Sequence, residues 1–198
     1  MADAVEVLVL GECSEGELTS TTGEIIAAGR QLADELGTAV ACGLLGHGLE
    51  EAAQSALRQG ADRVYSVDDP GLSRFQVETY LGALMELCRA VTPRILLMAR
   101  TQMGRDVAPR LAARLGVSLA QDCLEVKIDA STKNLLATRP VYGGNAMARV
   151  LCTGTPQCAT LRPKAYKPLT ADANPQGEVV SIQVKLDPAV VKTKVVGV

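Results

Sequence analysis

From Val5 to Leu115 four short apolar segments alternate with helix-patterned stretches, and this rhythm limits what the chain can fold into. Val5–Leu10 alternates little and is rich in β-branched residues and leucine, which suits a strand buried on both faces. Thr21 and Glu24 have capping-box spacing, and behind them Ile25, Leu32 and Leu36 recur at helical intervals up to Gly37. Ala39–Leu45 reads as a second strand, Glu50–Gln59 as a short helix stopped by Gly60, and Asp62–Val67 as a third strand. Ser73 and Gln76 repeat the capping-box spacing before a helix with Val77, Leu81, Leu84 and Cys88 on one face. Arg94–Ala99 is the fourth strand. Pro109 belongs in a helix's first turn, so the next helix is expected over Asp106–Leu115, ended by Gly116. Strands that alternate with helices imply βαβ units: an α/β fold with a parallel, doubly wound sheet and helices on both faces.

Beyond Gly116 the rhythm breaks. Leu119–Ile128, Asn134–Pro140, Ala146–Cys152 and Cys158–Leu161 read as strands joined by short turns, and Gly143-Gly144-Asn145 is the clearest hairpin signal. A mixed or antiparallel section therefore follows the doubly wound part. Composition turns polar from Thr170 to Gly177, with Asn174-Pro175-Gln176-Gly177 as a loop. Glu178–Leu186 can supply one more strand, and Asp187–Val198 reads as a tail or linker. This divides the chain into an α/β domain, 1–168, and a C-terminal strand and connector, 169–198.

Composition excludes several functions. Hydrophobic residues make up 47 % and charged residues 21 %, enough for a sizeable core. A net charge of −2, with acids and bases mixed along the chain, speaks against nucleic acid or a membrane surface as partner. No stretch reaches the ~18 apolar residues of a membrane span. The N-terminus lacks a signal peptide's basic region, so a cytoplasmic setting is expected. Six cysteines lie scattered without C-x-x-C spacing, which fits small core residues in a reducing compartment rather than a metal or disulfide framework.

In an open parallel sheet, ligands sit beyond the carboxyl ends of the strands. The segment Arg100-Thr101-Gln102-Met103-Gly104-Arg105-Asp106 is one such end and leads into a helix. Its free N–H groups, with Gly104 allowing close approach and Arg105 nearby, suit a phosphate or other anion. Equally, Asp106 can serve only as an N-cap that pairs with Arg110. His47, the sole histidine, lies between two glycines without a nucleophile in a recognisable elbow, so ordinary polar contacts are expected of it. Arg139-Pro140-Val141-Tyr142-Gly143-Gly144-Asn145 carries side chains suited to a partner or cofactor edge, although the glycines alone would serve a turn.

These last two segments carry a resemblance. Gly104-Arg105-Asp106-Val107-Ala108-Pro109-Arg110-Leu111 through Gly116, and Arg139-Pro140-Val141-Tyr142-Gly143-Gly144-Asn145-Ala146, are similar to the signatures of electron transfer flavoprotein α subunits. Leu8-Val9-Leu10-Gly11-Glu12 and Leu161-Arg162-Pro163-Lys164-Ala165-Tyr166 agree in order and spacing. The resemblance implies an adenine-nucleotide-hydrolase-like, Rossmann-like domain that packs on a β-type subunit in a heterodimer. It implies FAD in the assembled complex, held mainly by a C-terminal domain absent from this chain, with Lys192–Val198 resembling the connector to it. Acyl-CoA or other dehydrogenases would donate the electrons, and the chain would be a carrier component rather than an enzyme. Gly104, Arg105, Asp106, Arg139, Tyr142, Gly143, Gly144 and Asn145 are the residues expected to face the cofactor cleft or the partner. The rival reading is a free-standing, stress-protein-like module that holds AMP or another adenine nucleotide at Thr101–Asp106.

Overall fold

A computed structural model describes residues 6–14, 16–186 and 189; the expected tail and connector, 187–198, lie almost wholly outside them. Twelve strands and four α-helices are described. They are β1 (Val7–Gly11), β2 (Cys13–Ser14), β3 (Glu17–Leu18), α1 (Ser20–Leu36), β4 (Val40–Gly46), α2 (Glu50–Arg58), β5 (Arg63–Asp68), α3 (Val77–Val91), β6 (Ile95–Ala99) and α4 (Gln102–Leu115), then β7 (Leu119–Cys123), β8 (Glu125–Ile128), β9 (Leu135–Val141), β10 (Ala146–Leu151), β11 (Gln157–Leu161) and β12 (Glu178–Ser181).

The large sheet has the order β12-β5-β4-β1-β6-β11-β7, and every neighbouring pair is parallel. From β1 the chain first moves one way, to β4 and β5, then returns across the sheet to β6 on the other side of β1. Right-handed crossovers that run in opposite directions must place their helices on opposite faces. Side chains alternate accordingly: Val7 and Val9 pack with Ile25, Ile26 and Leu32 of α1, whereas Leu8 and Leu10 pack with Leu84 and Leu87 of α3 and Leu111 of α4. The point of reversal, between β1 and β6, is where such sheets form a crevice.

The late section departs from expectation. Leu119–Ile128 is two strands: Asp122, in a left-handed conformation (φ 62°), bulges β7 against β11, and the chain leaves the large sheet after Cys123 to begin β8 at Glu125. Of the four late strands expected to be joined by short turns, only part builds an antiparallel sheet, of order β10-β9-β8. β7 and β11 instead join the large sheet, with β11 filling the slot between β6 and β7. The hairpin at Gly143-Gly144-Asn145 does join β9 to β10, with both glycines at positive φ. β12 pairs in parallel with β5 at the far edge.

Gln157 ties the two sheets. Its buried side chain accepts from the Leu135 N–H (2.5 Å) and donates to Asn134 Oδ1 (2.8 Å). The small sheet also leans on α1, where the Ile128 N–H donates to Glu35 Oε2 at 2.9 Å.

Three helix starts differ from the capping patterns. α1 is capped by Thr19, whose hydroxyl accepts from the Thr22 N–H, and not by Thr21. Glu24, the expected capping-box partner, reaches the Lys164 N–H instead. Gln76 caps α3 without a side-chain bond, so Ser73 and Gln76 form no capping box. α4 begins at Gln102, with Thr101 as its cap and Pro109 well inside it.

Candidate functional site

The carboxyl ends of β1 and β6 meet at the point of reversal, and Glu12 and Thr101 stand there. Thr101 caps α4 by accepting from the Gly104 N–H at 3.1 Å, and its hydroxyl proton goes to Glu12 Oε1 at 2.5 Å. Gly104 is therefore in the first turn of a helix rather than in a loop. A Cβ on Gly104 would lie 1.8 Å from the Ala99 carbonyl oxygen. The glycine thus serves close packing of α4 on β6, not the approach of an anion. Burial raises the Glu12 carboxyl above the ordinary carboxylate range, against the opposing effect of the Thr101 hydrogen bond.

Beyond Glu12 opens a cavity of about 340 Å³ lined by Leu45, Phe75, Tyr80, Gln102 and Met103 among others. Phe75 and Tyr80 meet edge to face at 5.0 Å, and the Tyr80 hydroxyl donates to the Leu72 carbonyl at 2.9 Å. Its wall mixes apolar side chains with the polar groups of Ser73, Tyr80 and Gln102, and Glu12 is its one charged residue. Arg105 sits exposed on α4; its N–H donates to the Thr101 carbonyl at 3.0 Å, and its guanidinium has no hydrogen bond or ion pair among the described residues. Asp106 lies one residue on. Its carbonyl, not its carboxylate, accepts from Arg110 at 2.6 Å, so neither the expected N-cap nor the expected ion pair forms there.

A second constellation gathers past the ends of β6, β7 and β11. Asp122 receives a bidentate grip from Arg162, Nε to Oδ1 at 2.9 Å and Nη2 to Oδ2 at 2.6 Å. Arg100 Nε lies 3.6 Å from the same carboxylate. Arg162 first, then the charges of Arg100 and Arg139, hold Asp122 below its ordinary range despite its burial. Two guanidiniums thus pair with one carboxylate, and the charge of Arg139 adds to the excess of positive charge around it. Arg139, on β9, has a buried Nε with no hydrogen-bond acceptor among the described residues.

Arg139 leads into the hairpin. Tyr142 is 84 % exposed at φ 50°, and the Asn145 side-chain amide donates to the Tyr142 carbonyl at 3.0 Å. On β10, Met147 and Leu151 are 53 % and 41 % exposed. The two sequence segments are therefore separate in kind. Gly104, Arg105 and Asp106 lie on a helix, and Arg139, Tyr142, Gly143, Gly144 and Asn145 lie on an antiparallel hairpin. Asp122 is the element between them, through Arg100 before α4 and Arg139 on β9.

His47 is exposed and its Nδ1 lies 3.1 Å from Asp68 Oδ1, an ordinary polar contact. Burial would raise Asp68, but the Leu49 and Gly48 N–H groups at the start of α2, with His47, outweigh it and lower the carboxyl. All six cysteines are free and five are buried. Desolvation pushes the Cys88, Cys123 and Cys158 thiols up to about 12, which makes them poor nucleophiles. Among the described residues no group of three or more His, Cys, Asp or Glu could hold a metal, and no helix is long and apolar enough to cross a membrane.

Sequence reasoning gave no role to Glu12 or Asp122, and took Thr101 as the first residue of a phosphate-binding loop rather than as a helix cap. Glu12 follows the last residue of a buried strand, a position that signals a ligand-facing end in a doubly wound sheet. Nothing local marks Asp122, whose partners come from three distant segments.

The electron transfer flavoprotein domain model matches residues 7–187. The electron transfer flavoprotein subunit alpha of Clostridium acetobutylicum is 36 % identical over 197 residues, covering 98 % of this chain and 59 % of that protein. That of Thermoanaerobacterium thermosaccharolyticum is 36 % identical over 199 residues, covering 100 % of this chain and 60 % of that protein. The acryloyl-CoA reductase electron transfer subunit beta of Anaerotignum propionicum is 34 % identical over 218 residues, with 98 % and 59 % covered. The chain thus spans about three fifths of the length of these relatives.

Proposed function

The chain belongs to the electron transfer flavoprotein family, and from that premise we propose that it is the N-terminal domain of an α-type subunit that docks on a β-type subunit. In this reading the assembled heterodimer carries electrons from an acyl-CoA or other dehydrogenase through FAD, in the cytoplasm. The domain frames the cleft, and FAD is held mainly by the part of the longer relatives that lies outside the match to this chain. Residues 1–168 form the docking body and 169–198 the strand and connector.

One observation carries the docking: the outer face of the small sheet. β10 is an edge strand with Met147 and Leu151 exposed on it, Arg149 between them, and Tyr142 exposed in the turn before it. An exposed edge invites pairing or covering, and a face that sets aromatic and methionine side chains beside an arginine suits a protein partner. Arg139 lies at the start of the same hairpin with an unsatisfied buried Nε. An acidic side chain from the partner would add a charge-assisted hydrogen bond to the accessible part of its guanidinium. Arg105 and Arg139 are also the cations available to favour an anionic reduced flavin in a partly dry cleft, where Coulomb attraction is less screened.

The test is native mass spectrometry of the chain mixed with a β-type subunit and FAD, with an absorbance scan in the flavin band. A one-to-one complex supports docking, and FAD within it supports the cleft. A chain that stays monomeric in the mixture contradicts both.

A further inference from the structure

We propose that Glu12 is a built-in anion that closes the crevice at the point of reversal to phosphate-bearing ligands. In a sheet of this topology that crevice is the general ligand position, and the phosphate sits against the N-terminus of the following helix. Here the helix is α4, and part of its first turn is already committed. The Gly104 N–H goes to Thr101 Oγ1, and the single hydroxyl proton of Thr101 goes to Glu12 Oε1. An incoming phosphate therefore finds both donors engaged and a carboxylate standing on the cap.

Glu12 cannot easily turn away, because its backbone is clamped on the other side of the crevice. Its N–H donates to Thr22 Oγ1 at 2.8 Å. Its carbonyl accepts from the Thr22 hydroxyl at 3.0 Å and from the Thr19 N–H at 3.0 Å. Thr19 is the cap of α1 and Thr22 is buried in the first turn of that helix. One residue thus joins the N-termini of the two helices that flank the reversal, α1 through its backbone and α4 through its side chain. The neighbouring cavity, with Phe75, Tyr80 and Met103 in its wall, supplies no cation to offset the carboxylate. The Glu12 carboxylate and the engagement of Thr101 and Gly104 together turn phosphate away, which sets this crevice against the nucleotide-module reading of Thr101–Asp106.

The experiment is calorimetric titration of AMP, adenosine and inorganic phosphate into the chain and into Glu12→Gln and Glu12→Ala, each checked for fold by circular dichroism. The chain is expected to bind AMP more weakly than ~1 mM. Glu12→Ala, which removes both charge and volume, is expected to gain AMP affinity by at least ~10-fold, and Glu12→Gln, which removes charge alone, by at least ~3-fold. Adenosine affinity is expected to stay unchanged in Glu12→Gln. Sub-millimolar AMP binding by the unaltered chain overturns the proposal. So does a folded Glu12→Gln with no gain, or an equal gain for adenosine, which would assign the effect to space rather than charge. Should Glu12→Ala not fold, the isosteric variant decides alone. No partner subunit enters this test, so its outcome is separate from the docking proposal.

Discussion

The two sheets of this molecule dispose of their apolar residues in opposite ways. Every residue of β1, β4, β6 and β11 is buried, because helices cover both faces of the large sheet. In β10 the alternation is half open: Ala148 and Val150 turn inward while Met147, Arg149 and Leu151 face solvent. The central strands of the large sheet are covered on both faces by the described residues. The small sheet is finished on the side that leans on α1 and unfinished on the other. The contrast separates a body that supplies stability from a face that is available for recognition, and mutations should separate the two in the same way.

The largest expected effect is on the body. Gly104→Ala forces a Cβ into the Ala99 carbonyl, backbone against backbone, so α4 must move off β6. A loss of about 3 kcal/mol in chemical denaturation is expected. A loss under about 1 kcal/mol would show that this packing is softer than the geometry implies. At the joint between the sheets, Gln157→Ala leaves the buried Leu135 N–H without its acceptor, for an expected loss of about 2 kcal/mol. Were the joint dispensable, the loss would stay near zero.

On the face, Tyr142→Ala with Met147→Ala should leave stability within about 0.5 kcal/mol, since both side chains are exposed. Binding to a β-type subunit, read by calorimetry, is expected to fall by at least ~10-fold, about 1.4 kcal/mol. Reversal of that pattern, a destabilised monomer with unchanged binding, would break the division between body and face.

The smallest effect concerns pH. The folded Asp122 carboxyl lies below its ordinary value of about 3.9, chiefly through Arg162. Its stabilisation is therefore fully present above that unfolded value and is lost as pH falls through the lower folded one. Arg162→Ala should cost little at neutral pH, because Arg162 is exposed, and should make the acid limb of the stability profile shallower below about pH 4. An unchanged acid limb would assign the shift elsewhere.

Sequence alone revealed the part of this fold that is written locally. Strands buried on both faces run as unbroken apolar stretches, and Gly37 and Gly116 end their helices in left-handed conformations, as their positions suggested. What went astray was decided by tertiary contact. Thr19 and Thr21 are the same residue type two positions apart, and only the bonds of Thr22 to Glu12 select the former. Pro109 argued for a helix start at Asp106, yet α4 begins at Gln102 because Gly104 can pack against Ala99 and Thr101 can cap it. Nothing near β11 announces that it will slip between β6 and β7. The candidate site divided likewise: Arg139 and Tyr142 were legible from their hairpin, while Glu12 and Asp122 take their meaning from residues far along the chain.

The most direct test of the docking face is hydrogen exchange on the chain alone and in a mixture with a β-type subunit. Backbone protection is expected to rise over residues 142–151, with the strands of the large sheet unchanged. Complex formation that protects other segments while 142–151 exchange as in the free chain would contradict the account.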